Sequence, residues 1–137
     1  MKKRWFIFIV AVLSFSSVAF TQSQRIKVAC IGNSVTYGYG LKDPSSQSYP
    51  VQLEQMLGEK YDVQNYGHSG ATLLRKGHNP YFKTKEFSEA IKLKADIAII
   101  HLGLNDTDPR DWNNYSNDFK SDYAWLIDTL RKSNPQI

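Results

Sequence analysis

Two apolar runs and one short strand-like stretch in this chain break at a glycine into a polar turn, and that repeated break constrains the fold more than any other feature. Ile26, Val28 and Cys30 alternate toward Gly32-Asn33-Ser34, Tyr61 to Tyr66 ends at Gly67-His68-Ser69-Gly70, and Ile97 to Leu102 ends at Gly103-Leu104-Asn105. Runs of this length and content read as strands. Because each polar turn follows its run, all three turns sit at the same end of their strands. The third run is almost wholly apolar, which predicts a strand covered on both faces.

Helical patterns fill the gaps. Ser48 precedes Tyr49-Pro50 as a helix cap with proline in the first turn, and Tyr49, Leu53, Met56 and Leu57 then share a face until Gly58. Phe87, Ala90, Ile91 and Leu93 face inward over residues 86–93, and Phe119, Tyr123, Leu126, Ile127 and Leu130 form a longer stripe within residues 116–132. Strand alternating with helix implies right-handed crossovers and a parallel sheet between helical layers, a flavodoxin-like three-layer α/β/α sandwich. Three strands leave that sandwich incomplete at its C-terminal end. Residues 22–137 read as one domain, without repeats or low-complexity tracts.

At the carboxyl ends of parallel strands, residues far apart in sequence meet in one crevice. Residues 34, 70 and 105 are the ones so placed, with the Ser34 hydroxyl presented as a nucleophile at the mouth of the sheet. That is the arrangement an acyl-transfer site needs.

The blocks Ile31 to Gly38, Asn65 to Thr72 and Gly103 to Asp106, in that order and spacing, resemble the SGNH hydrolases, also called the GDSL esterase and lipase family. The resemblance runs from Lys27 onward. It implies that Ser34 is the nucleophile, and that the Gly70 N–H and the Asn105 side-chain amide stabilise the oxyanion as charge develops. Glycine lets the backbone come close, and asparagine brings two donors on a short arm. It further implies a base, because a serine hydroxyl attacks poorly until its proton is taken; in the family an Asp-x-x-His segment supplies that histidine and its orienting aspartate. No Asp-x-x-His occurs in these 137 residues. The histidine and aspartate are therefore expected beyond Ile137, and this stretch alone is expected to be inactive. At Asn33 the usual family residue is aspartate, so the shape and one acceptor are kept while the charge is lost.

Three histidines are present. His68, in the Gly70 loop, is the one local candidate for a base; His101, inside the third run, reads as a core histidine, and His78 sits in a polar loop without a matching signal. Their scatter lacks the paired spacing of a zinc site. The acidic loop Asp106, Asp108 and Asp111 reads as turn and helix-start residues rather than metal ligands. No metal or cofactor is expected.

Met1-Lys2-Lys3-Arg4 followed by an apolar stretch and small residues through Ala19 has the layout of a secretory signal peptide, residues 1–21, too short for a comfortable span. Losing Lys2, Lys3 and Arg4 takes 17 basic residues to 14 against 13 acidic ones, a net charge of +1. No basic patch remains to attract nucleic acid. The expected protein is exported, periplasmic or secreted, without stable membrane association after cleavage. Cys30 has no partner for an internal disulfide and reads as a small core residue.

Tyr37, Tyr39, Tyr81, Phe82, Trp112 and Tyr115 flank the three blocks and suit stacking on sugar faces, although such residues also pack as ordinary core. The longer pattern at 32–38, 49–50 and 65–74 is most similar to bacterial sialate O-acetylesterase-like carbohydrate esterases, which implies a glycan ester or small-molecule ester substrate. The same blocks would serve a GDSL-type lipase, lysophospholipase or thioesterase. A relative without the histidine could bind glycan noncatalytically.

Overall fold

The computed structural model describes residues 24–137; the expected leader, residues 1–21, lies outside them. Three strands, β1 (Ile26–Gly32), β2 (Tyr61–Gly67) and β3 (Ile97–His101), form a parallel sheet in the order β2-β1-β3. The helices are α1 (Ser34–Tyr37), α2 (Pro44–Gln47), α3 (Tyr49–Leu57), α4 (Lys85–Leu93), α5 (Pro109–Tyr115) and α6 (Phe119–Ser133). The chain steps from β1 to β2 on one side and then back past β1 to β3 on the other. Two right-handed crossovers in opposite directions put α3 and α4 on opposite faces of the sheet. The expected three-layer architecture follows from that reversal.

Alternation along β1 feeds both layers. Val28 and Cys30 pack with Val63, Tyr49 and Leu53 on the α3 face, while Ala29 and Ile31 join Ala90, Leu126 and Leu130 under α4 and α6. Full burial of a leucine such as Leu126 or Leu130 contributes about 1.5 to 3 kcal/mol, so packing is the main source of stability. Cys30 is fully buried, as its place in the first run predicts.

Several expectations need correction. β3 is not covered on both faces: Ile97 and His101 are exposed, and Ala98 and Ile100 look onto an open groove of about 290 Å3 beside Tyr123 and Ile127 of α6. Among the described residues β3 hydrogen-bonds to β1 alone, so one of its edges is free. His101 is accordingly no core histidine. Met56 points to solvent at 84% exposure, because α3 buries only the side that carries Tyr49 and Leu53. Ser48 occupies the N-cap position of α3 but makes no side-chain cap bond; its Oγ accepts from Asn65 Nδ2 at 3.3 Å instead. The long C-terminal helix begins at Phe119, after a single 3-10 turn at Ser116–Asp118. Among the described residues no helix is long and apolar enough to cross a membrane.

Candidate active site

Register brings the three polar turns into one row, since Gly32 of β1 pairs with Gly67 of β2 and with His101 of β3. Cross-links continue past the strand ends: His68 N–H donates to Gly32 O at 2.9 Å, and Asn33 N–H to His101 O at 3.3 Å. The order reverses at β1, and the crevice beside such a switch point is where open α/β sheets hold ligands.

Ser34 opens α1 immediately after this strand end. Asn33 caps the helix in extended conformation, its Oδ1 accepting from Val35 N–H at 3.0 Å, and Gly38 closes it in the left-handed region at φ 94° while donating to Ser34 O. The turn is this tight because two glycines leave no side chain in the way. A Cβ on Gly32 would collide with Thr36 Oγ1, and one on Gly67 with the backbone of Thr36 and Tyr37. Thr36 is fully buried under the turn, its Oγ1 3.2 Å from Tyr49 Oη. The Asn65 side chain ties the corner together, donating to Thr36 O at 2.8 Å and accepting from Gly67 N–H at 2.9 Å. The Asn33 amide that replaces the family's usual aspartate keeps the cap bond, but its Nδ2 is buried without a hydrogen-bond partner among the described residues.

Gly70 sits in the next turn at φ 81°, where Ala71 N–H donates back to His68 O at 3.1 Å. Asn105 starts a 3-10 turn after β3, and its Nδ2 donates to Ala71 O at 2.9 Å. That bond uses one of two amide hydrogens and aligns Asn105 directly with the Gly70 turn. Among the described residues, Ser34 N–H, Ser34 Oγ and Gly70 N–H have no hydrogen-bond partner.

Asp108 of the acidic loop caps a helix as its sequence reading predicts, whereas Asp106 and Asp111 reach across to a distant loop. Asp106, fully buried, accepts from Leu73 N–H at 2.9 Å and Leu74 N–H at 2.6 Å. Asp111 accepts from His78 N–H at 2.9 Å and lies 2.6 Å from His78 Nδ1. Asp108 caps α5 and pairs with Arg110, whose hydrogen bonds hold its carboxyl well below the usual carboxylate range. Asp122 of α6 grips Arg75 through both its backbone N–H and Nε at 2.8 Å. The segment that follows Gly70 is thus clamped by carboxylates from three other elements.

Gly70 and Asn105 share an open cleft of about 410 Å3 with Leu104, Asp108 and His78. Ser34 is not on its wall; it stands at the end of the neighbouring strand. His68 is half-buried with Nδ1 3.0 Å from Glu86 Oε2, and makes no hydrogen bond to Ser34. The His78–Asp111 pair was not anticipated: the residues are 33 positions apart and no local motif joins them. Of the flanking aromatics, Tyr81 is core, its Oη donating to Tyr66 O at 2.6 Å, and burial pushes its phenol far above the ordinary value. Phe82 packs edge-on against Trp125. Tyr37, Tyr39 and Trp112 are exposed.

The model of the GDSL-like Lipase/Acylhydrolase family matches residues 30–137. An acetylxylan esterase of Xylanibacter ruminicola is 39% identical over 115 residues, which is 84% of this chain and 24% of that protein. The crystal structure of AlinE4, an SGNH-hydrolase family esterase, superposes with a TM-score of 0.58 at 21% identity, over 81% of this chain and 56% of that one. A mutant of the same esterase gives 0.56 at 21% identity, over 80% and 55%. The chain thus spans about a quarter of the curated relative and just over half of the solved structures.

Proposed function

This chain belongs to the GDSL-like lipase/acylhydrolase family, and on that premise we propose that it is the nucleophile-bearing part of a serine esterase that removes O-acetyl groups from carbohydrate. Ser34 Oγ attacks the ester carbonyl, and negative charge moves onto the carbonyl oxygen. The N–H groups of Ser34 and Gly70 and the second amide hydrogen of Asn105 receive that charge; losing one such donor costs about 3 to 4 kcal/mol in the transition state. The serine proton passes to the histidine of the downstream Asp-x-x-His segment that the family resemblance implies, and from there to the departing sugar hydroxyl. Water then releases acetate and restores the serine.

One observation carries this reading. At the row of strand ends Ser34 N–H, Ser34 Oγ and Gly70 N–H have no hydrogen-bond partner among the described residues, and Asn105 Nδ2 keeps one hydrogen beyond its bond to Ala71 O. Unpaired donors beside an unpaired hydroxyl suit an oxygen that is absent until substrate arrives.

The related acetylxylan esterase makes acetylated xylan the first substrate to test, ahead of the O-acetylated sialate that the motif resemblance suggests. A polysaccharide substrate also agrees with export by the amino-terminal leader, which belongs to the proposal. In the full-length protein, Ser34→Ala should lower acetate release from acetylxylan by at least about a thousandfold while the melting temperature holds. Retained activity would remove Ser34 from the mechanism, and a preference for long acyl chains would replace the glycan substrate with a lipid.

A further inference from the structure

We infer that His78 positions the carbohydrate part of the substrate, hydrogen-bonding a sugar hydroxyl through Nε2. The inference rests on the acetyl-carbohydrate reading above and deepens it. Asp111 is 1% exposed and receives both the backbone N–H and Nδ1 of His78, at 2.9 and 2.6 Å. A carboxylate that faces two nitrogens so closely serves as acceptor to both, so Nδ1 carries a proton and Nε2 is the ring atom left to meet a ligand. The ring cannot turn without leaving a buried carboxylate short of a donor. Nε2 has no hydrogen-bond partner among the described residues, and His78 lines the same cleft as Gly70 and Asn105.

On the rest of that wall the Thr107 hydroxyl donates to Leu104 O at 2.8 Å. Asp108 is engaged by Arg110 through both oxygens, and Leu104 is apolar. A fixed imidazole nitrogen beside donors meant for an acyl oxygen suits a leaving group that carries neighbouring hydroxyls. An aryl leaving group has no such hydroxyl to offer it.

A plain structural role would place His78 as a tether between its loop and α5, and two variants separate the roles. His78→Asn keeps a donor near the Nδ1 position for Asp111 and removes the nitrogen that faces the cleft. His78→Gln has the longer arm that puts an amide oxygen near the Nε2 position. The assay compares acetylated xylo-oligosaccharide with 4-nitrophenyl acetate in the full-length protein. Expected is a roughly three- to tenfold rise in KM on the oligosaccharide for His78→Asn, a smaller change on the aryl ester, and at least partial recovery in His78→Gln. A parallel loss on both substrates, no loss in His78→Asn, the reverse order of the two variants, or failure of both to fold assigns His78 to the tether and overturns the inference. Wild-type protein without Ser34-dependent turnover of the oligosaccharide would instead overturn the underlying reading, and this one with it.

Discussion

At the Ser34 turn the geometry is set by missing side chains, whereas at the rim behind Gly70 it is set by charged ones. Gly32 and Gly67 let α1 press against the ends of β1 and β2 where any Cβ would collide. Asp106, Asp111 and Asp122 instead hold the backbone of Leu73, Leu74, Arg75 and His78 from outside, through bonds that cross 32 to 47 positions of sequence. The first device is rigid because it is steric. The second depends on carboxylates finding their N–H partners during folding, and it fails gradually as partners are removed.

Gly67→Ala attacks the steric side and should have the largest effect. Its Cβ would lie 2.6 Å from Thr36 C and from Tyr37 Cα, and backbone cannot yield as a flexible side chain does. A loss of about 3 kcal/mol or more in denaturant unfolding is expected. Gly40→Ala is the control: it has φ 84° but open space around it, so only about 1 kcal/mol of backbone strain applies. Equal costs at the two positions would show that the corner is not sterically built.

Asp106→Asn tests the carboxylate side. The amide can accept at one oxygen, but its NH2 would face the other backbone N–H, leaving a buried donor unpaired. The expected cost is about 2 to 3 kcal/mol. Hydrogen exchange sharpens the contrast, because the Leu73 and Leu74 amides should lose protection while Gly38 and Tyr39, bonded to Ser34 O, keep theirs. Equal loss in both places would mean that the two regions are one cooperative unit.

The same contrast explains what could be read from the sequence. Glycine breaks after strand-like stretches are local signals, so the parallel sheet, its common end and the position of residues 34, 70 and 105 just past that end followed from short stretches, whereas one shared crevice did not: Ser34 lies off the wall of the cleft that holds Gly70 and Asn105. The family model and the superposed esterase agree with that fold. The clamps were invisible for the opposite reason. Asp106 and Asp111 sit in a short acidic stretch, and nothing local to them names Leu73 or His78 as partner. His101 and Ile97 misled because an apolar run states which residues prefer burial, while the neighbours a strand receives decide whether they get it. Helix α5 lies in a segment read as a loop, although Asp108 and Pro109 carry its start signals.

Alkaline pH separates the two regions by a smaller margin. Beneath the Ser34 turn, burial pushes the Cys30 thiol up to about 11, with a hydrogen bond to Tyr49 opposing only part of that shift. In the unfolded chain the thiol ionises near its ordinary value of 9.0. Below that pH both states hold the proton and the thiol is neutral toward stability; between about 9 and 11 the unfolded state loses it first, so stability falls as pH rises. From pH 8 to pH 10 the loss assignable to Cys30 is about 1 kcal/mol. Burial also raises Tyr49, and the Cys30 thiol adds to that shift, so a Cys30 variant loses both its own contribution and part of Tyr49's. The measurement is therefore a difference of slopes: Cys30→Ala should flatten the fall of unfolding free energy over that range, whatever constant penalty its small cavity imposes. Parallel slopes would show that the β1 side of the site is no more sensitive to alkali than the clamped rim.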